Sequence, residues 1–110
     1  MSKKGRREEG KDLVIDFSEV QVSTLNSNGR LTDLLGTCLE FDLGSVEEHE
    51  FKNRKAITVV VRYDDKVERR HTFSEVIIKQ LLMAKQLYPN AKLTAKVIKY
   101  KNYFRLMGCK

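Results

Sequence analysis

Apolar and polar residues alternate with a period of two in several short stretches of this chain. This period is typical of strands that bury one face. The predicted strands cover residues 13–22, 37–43, 56–63, 67–73, 92–100 and 103–107. Short turns separate the third strand from the fourth and the fifth from the sixth, which indicates two antiparallel hairpins.

One helix is predicted between the two hairpins. Thr72 and Glu75 stand in the T-x-x-E spacing of a capping box, which marks a helix start. Apolar residues then recur at helical spacing, interrupted by Gln80, until Pro89 ends the element. We interpret this helix as the cover of the core of a small sheet.

Turn signals lie between the first two predicted strands. Residues 26–30 read NSNGR, and the Asn-Gly pair is typical of a turn. Thr32 is placed to cap a single helical turn that runs through Leu35. Gly36 can adopt the left-handed conformation that stops such a turn.

A polar segment, residues 45–55, follows Gly44 and predicts either a long loop or a continuation of the preceding strand after a bulge. It contains a loose group of metal-ligand residue types, namely Glu47, Glu48, His49 and Glu50. A metal site needs convergent ligands, and the two histidines of the chain lie far apart in sequence. We therefore favour a solvated loop and expect neither a metal nor another cofactor.

The composition indicates one compact domain, because 110 residues with 41% hydrophobic content can form one modest core. Residues 1–12 consist almost entirely of charged, Gly and Ser residues, which cannot bury enough apolar surface to offset their ordering entropy. We predict a disordered basic tail over 1–12 and a single domain over 13–110.

Charge is distributed unevenly along the chain. Residues 13–51 hold one basic and eight acidic side chains, a net charge of −7, whereas residues 52–110 hold fifteen and four, a net charge of +11. A basic half this concentrated attracts polyanions, of which nucleic acid is the commonest. The alternative is an ordinary solvated surface.

Cys38 and Cys109 fit neither a paired framework nor a CxxC spacing, so we predict reduced thiols in a cytoplasmic protein. A disulfide between them is the open alternative. No stretch approaches the ~20 apolar residues of a membrane span, and the N-terminus is charged where a signal peptide would be apolar. We expect no membrane partner.

Over residues 37–107 the predicted order of strand, strand, strand, helix, strand, strand resembles the OB fold, a five-stranded Greek-key barrel that binds oligonucleotides. The implied class is mainly β with one helix (α+β), the helix lying between strands 3 and 4. The runs HTFSEVIIKQLL and KLTAKVIKYKNYFRLM are similar to small single-stranded-DNA-binding proteins of phages, plasmids and other mobile elements. This resemblance implies non-catalytic, sequence-tolerant DNA binding in replication, recombination or transfer.

Such binding needs cations for phosphates and exposed aromatic faces for bases. The two basic hairpins offer both, and the chain has no Trp, so the aromatic faces must come from other residues. The candidate nucleic-acid-binding residues are Arg62, Arg69, Arg70, His71, Lys96, Tyr100, Lys101, Tyr103 and Arg105. A preceding basic group, Lys52, Arg54 and Lys55, can extend the path, whereas Phe41, Phe73 and Phe104 are predicted in the core.

Other functions stay open at this point. No GxSxG, HExxH, P-loop or paired Cys-His spacing occurs, so we do not predict an enzyme. The acidic segment 13–51 can bind a basic protein partner or a second copy of the chain, which would make the protein a phage-type inhibitor, an adaptor or a homo-oligomer. RNA is an alternative ligand, because nothing in the sequence reads a 2′-hydroxyl.

Overall fold

The computed structural model describes residues 27–110. The predicted tail over 1–12 and the predicted strand over 13–22 lie outside the described residues. The elements in chain order are a 3-10 helix (Leu31–Leu34), β1 (Cys38–Phe51), β2 (Arg54–Tyr63), β3 (Lys66–Thr72), α1 (Glu75–Leu87), β4 (Lys92–Tyr100) and β5 (Tyr103–Met107). All five strands predicted for this part of the chain are present, which confirms a mainly β fold with one helix between the third and fourth strands.

The five strands form one antiparallel sheet in the order β3, β2, β1, β4, β5. The sheet curls into a half-barrel, an arrangement compatible with an OB-like fold. Strands β3 and β5 are the two edges of the sheet. Along the strands, residues alternate between the outward face of the curl and the core, except where the register of β1 shifts.

β1 continues through the polar segment that follows Gly44. Its register with β2 shifts between Asp42, opposite Val60, and Glu47, opposite Thr58. The hydroxyl of Ser45 donates to the Asp42 carbonyl at 2.6 Å and accepts the Val60 amide at 2.8 Å. The predicted bulge is confirmed, and the solvated loop was the wrong alternative because this hydroxyl restores the ladder after the bulge.

Two-residue turns with left-handed backbone join neighbouring strands. Asp64 and Asp65, between β2 and β3, have φ of 48° and 62°, and Lys52 and Asn53, between β1 and β2, have φ of 47° and 68°. Turns of this hand match the twist of the flanking strands. Lys101, with φ of 59°, stands in the same way at the tip of the β4–β5 hairpin.

The core lies between the concave face of the sheet and α1. Its buried hydrophobic residues are Leu31, Leu39, Phe41, Leu43, Val46, Ile57, Val59, Val61, Ile77, Ile78, Leu81, Ala95, Val97 and Leu106. This confirms Phe41 as a core residue. Phe104 is only partly buried against the core, and Phe73 is partly exposed and lies outside the core cluster. The prediction of a core position was therefore wrong for Phe73.

Neither helix uses the N-cap residue that the sequence predicted. Ser74, not Thr72, is the N-cap of α1, and its hydroxyl accepts the Ile77 amide at 3.4 Å. Thr72 instead accepts the Ser74 amide at 3.1 Å, which holds the strand-to-helix turn. The 3-10 helix begins at Leu31 without a side-chain cap.

Side chains and a short chain segment cover the two sheet edges. At the β3 edge, the His71 amide donates to the Gly29 carbonyl at 3.0 Å, and the Asn28 amide donates to the Arg69 carbonyl. At the β5 edge, the Gln80 amide group receives the Leu106 N–H at 2.7 Å and donates to the Leu106 carbonyl at 3.1 Å. Gln80 thus interrupts the apolar side of α1 because its amide replaces the backbone of a missing neighbouring strand.

Cys38 and Cys109 form a disulfide, with a Cα–Cα distance of 5.7 Å. The prediction of reduced thiols was therefore wrong. The two cysteines are 71 positions apart in sequence and approach each other only because β1, β4 and β5 are adjacent in the sheet. The bond ties the residues after β5 to the first residue of β1.

Candidate nucleic-acid interface

Tyr100 and Tyr103 form an exposed aromatic pair beside the tip of the β4–β5 hairpin. They are direct cross-strand partners, and their ring centroids lie 5.7 Å apart in an edge-to-face arrangement. Tyr100 is 45% exposed and Tyr103 38% exposed. By the alternation of the two strands they lie on the face opposite the core residues Val97 and Leu106, so they present aromatic surface to solvent.

Cations surround this pair on the outward face. The Lys101 ammonium lies 5.5 Å from the Tyr100 ring centroid. Arg105, opposite Ile98, and Lys96, opposite Met107, follow the tyrosines at alternate positions of the two strands and therefore share their face. We call Lys96, Tyr100, Lys101, Tyr103 and Arg105 the tyrosine hairpin.

Arg105 contributes a donor that the protein leaves unused. Its Nε is buried and has no hydrogen-bond partner, and the same holds for the Nε of Arg69. Buried donors without partners are uncommon in folded proteins. The Nε of Arg105 thus has no protein partner, whereas Arg69 pairs with Glu47 through another guanidinium nitrogen.

Arg62 and Arg69 lie on the same outward face but on the other side of β1. Arg69 is already paired with the Glu47 carboxylate, whereas Arg62 is exposed. Glu40 stands directly opposite Arg62, so an acidic strand separates these two arginines from the tyrosine hairpin. Asp42 adds a second carboxylate to this separation.

Arg70 points to the opposite face from Arg69 and does not join the predicted site. Its guanidinium donates to the Glu68 carboxylate at 2.6 Å and to the Tyr63 hydroxyl at 3.3 Å. Hydrogen bonds from the Tyr63 hydroxyl and then from Arg70 lower the pKa of Glu68. This group is satisfied within the protein, so its role in the structure is to hold the end of the β2–β3 hairpin.

His71 is buried, with 4% of its surface exposed, under the segment that covers the β3 edge. Its Nδ1 lies 2.8 Å from the Ser27 hydroxyl. Burial, followed by the positive charge of Arg30, lowers the pKa of His71. The imidazole is therefore neutral at neutral pH and supplies no cation for a phosphate.

A cleft of about 440 Å³ opens between the end of β3 and β5, and the sequence predictions missed it. Phe73 and Phe104 are among its lining residues. The Arg54 guanidinium carbon lies 4.6 Å from the Phe73 ring centroid, and the Lys99 ammonium lies 6.0 Å from that of Phe104. Arg30 also lines this cleft. Because two phenylalanines line it, we call it the phenylalanine cleft.

One sequence signal could have located this cleft. Phe73 closes the alternation of β3 just before the helix begins, and Phe104 is the second residue of β5. Both are therefore near the ends of edge strands, where an apolar residue has fewer neighbours to bury it. The alternation alone does not reveal that these two edges face each other.

The acidic residues of β1 do not gather into a metal site. Glu47 pairs with Arg69, Glu48 lies 3.5 Å from Lys55, and the His49 Nε2 lies 3.0 Å from the Thr58 hydroxyl. Within residues 27–110, no group of three or more His, Cys, Asp or Glu side chains is placed to hold a metal ion. In the same part of the chain, no helix combines the length and the apolar character that crossing a bilayer requires.

Comparison with known proteins adds no assignment: no family model, no curated protein and no solved structure shows a significant match to this chain.

Proposed function

We propose that this protein binds single-stranded DNA without sequence preference and without a catalytic step, through the tyrosine hairpin. The observation that carries the proposal is the exposed pair of Tyr100 and Tyr103 with three cations on or beside the same face. Aromatic faces take bases of any identity, and the cations neutralise the phosphates between them. The sequence resemblance to mobile-element proteins supports a role in replication, recombination or transfer.

The fold supports the same proposal. We propose that the half-barrel is an OB-like Greek-key barrel, in which α1 and the segment ahead of the 3-10 helix fill the opening between β3 and β5. In OB folds, oligonucleotides bind across the barrel face and the β1–β2 and β4–β5 loops. Here those two loops carry Lys52 and Lys101. Both loops thus present a cation at the tip of a tight turn.

Replacing both tyrosines by alanine should lower the affinity for oligo(dT) by at least about thirtyfold, since each lost stack costs ~1–3 kcal/mol. Fluorescence anisotropy with a labelled oligonucleotide measures this, and circular dichroism verifies the fold. Tyr88→Ala is the matched control, because Tyr88 is 64% exposed at the far end of α1. An unchanged affinity of the double variant would remove the tyrosine hairpin from the interface.

A protein-interaction module is the second candidate function, and one observation favours it. Met83, Leu87, Tyr88 and Met107 are exposed apolar residues beside a cleft of about 460 Å³ between α1, β4 and β5. Exposed apolar clusters are typical of protein-binding surfaces. The acidic residues of β1 argue less for it, because Glu47 and Glu48 already pair within the chain.

A further inference from the structure

We infer that the phenylalanine cleft accepts one unstacked base of a bound single strand, and that it forms a site separate from the tyrosine hairpin. This inference rests on the proposed function. The second contact lies on a different face of β5 from the tyrosines, where the bound DNA strand passes over the edge of the sheet.

The chemistry of the cleft favours a flat, uncharged ring system over a bare phosphate. Two phenyl rings and a neutral imidazole line it, and the Arg54 guanidinium lies 4.6 Å from the centroid of the Phe73 ring. Unstacked bases are held on aromatic rings and on guanidinium planes of this kind. A site built for phosphate alone has no use for two phenyl rings.

The charges of the cleft are suited to a nucleotide that carries its phosphate. Arg30 and Arg54 line the cleft, and no carboxylate is among its lining residues in the described chain. The side chain of Arg30 is 69% exposed, although it also contacts Asp33 at 3.4 Å. The phosphate of a base inside the cleft would therefore meet arginine side chains and no carboxylate of the lining.

The volume and the position of the cleft also fit. About 440 Å³ lies within the ~300–1,000 Å³ range of small-molecule sites. Tyr103 and Phe104 are consecutive residues of β5, so their side chains lie on opposite faces of the strand. A DNA strand that stacks on Tyr103 can therefore bend over the β5 edge and place a neighbouring base beside Phe104.

The test uses oligo(dT) in which one base at a time is removed to leave an abasic site. For the full-length protein, we expect one abasic position to weaken binding by about five- to a hundredfold through the cleft, in addition to the positions that contact the tyrosines. In Phe73→Leu and in Arg54→Gln, that one position should become insensitive to base removal while the tyrosine-dependent positions keep their losses. Arg54 is exposed, so the second variant leaves the core intact.

Lys96→Gln is the contrasting variant, because a phosphate contact should weaken binding to every oligonucleotide alike and leave the abasic profile unchanged. Since the chain has no Trp, 2-aminopurine placed at the sensitive position gives a fluorescence signal without protein background. An abasic profile in Phe73→Leu and Arg54→Gln identical to that of the unmodified protein would overturn the cleft alone. Absence of binding to any oligonucleotide would overturn both this inference and the proposed function.

Discussion

Raising the salt concentration from about 50 to about 200 mM should weaken the binding of oligo(dT) about a hundredfold. Each neutralised phosphate of a single strand contributes about −0.7 to the slope of log affinity against log salt. The hairpin and the cleft together present five cations for this purpose: Lys96, Lys101, Arg105, Arg30 and Arg54. Five contacts correspond to a slope of about −3.5.

Anisotropy titrations at four salt concentrations give this slope directly. Lys101→Gln should reduce its magnitude by about 0.7, because one phosphate contact is lost. Lys79→Gln is the control, since Lys79 is exposed on the side of α1 away from the core and should leave the slope unchanged. A slope near zero in the unmodified protein would mean that phosphates are not bound.

Removing the disulfide should produce the largest change in stability. The bond joins Cys38 to Cys109 across 71 positions, and closing a loop of this length lowers the entropy of the unfolded chain by an amount worth about 4 kcal/mol. Urea unfolding of Cys109→Ser should therefore show a free energy of unfolding lower by about this amount. Reductant should destabilise the unmodified protein to the same extent.

The variant also supplies the control for this experiment. In Cys109→Ser, reductant should have no further effect, because no bond is left to reduce. Equal unfolding midpoints for the oxidised protein, the reduced protein and the variant would contradict the disulfide as a stabilising link.

The elements that local pattern specifies were predictable, and the contacts between distant elements were not. Alternation located all five described strands because burying one face of a strand is a local requirement. The candidate site nevertheless grouped Arg69 and Arg70 by their charge, although neighbouring residues of a strand point to opposite faces. Applied strictly, the period of two would have separated them.

Other features depend on which strands become neighbours. Gln80 reads as a break in an apolar surface, and only the position of β5 shows that its amide pairs with Leu106. The disulfide likewise requires the sheet order. Glu40 separates Arg62 from the tyrosine hairpin because β1 lies in the middle of the sheet. The order of the elements along the chain does not reveal this position. The sequence therefore predicted several residues of the candidate site, but the order of the strands in the sheet decides which of them lie together.

The most direct measurement of the central claim is a competition between unlabelled nucleic acids for the protein bound to labelled oligo(dT). Single-stranded DNA, the duplex of the same sequence and matched RNA are compared at one salt concentration. In a duplex the base faces are stacked on each other and closed to the tyrosines, so we expect single-stranded DNA to compete at concentrations at least about tenfold lower than the duplex. Matched RNA should compete comparably with single-stranded DNA, because its bases are exposed in the same way and nothing in the sequence reads a 2′-hydroxyl. Equal or better competition by the duplex would contradict binding through exposed bases.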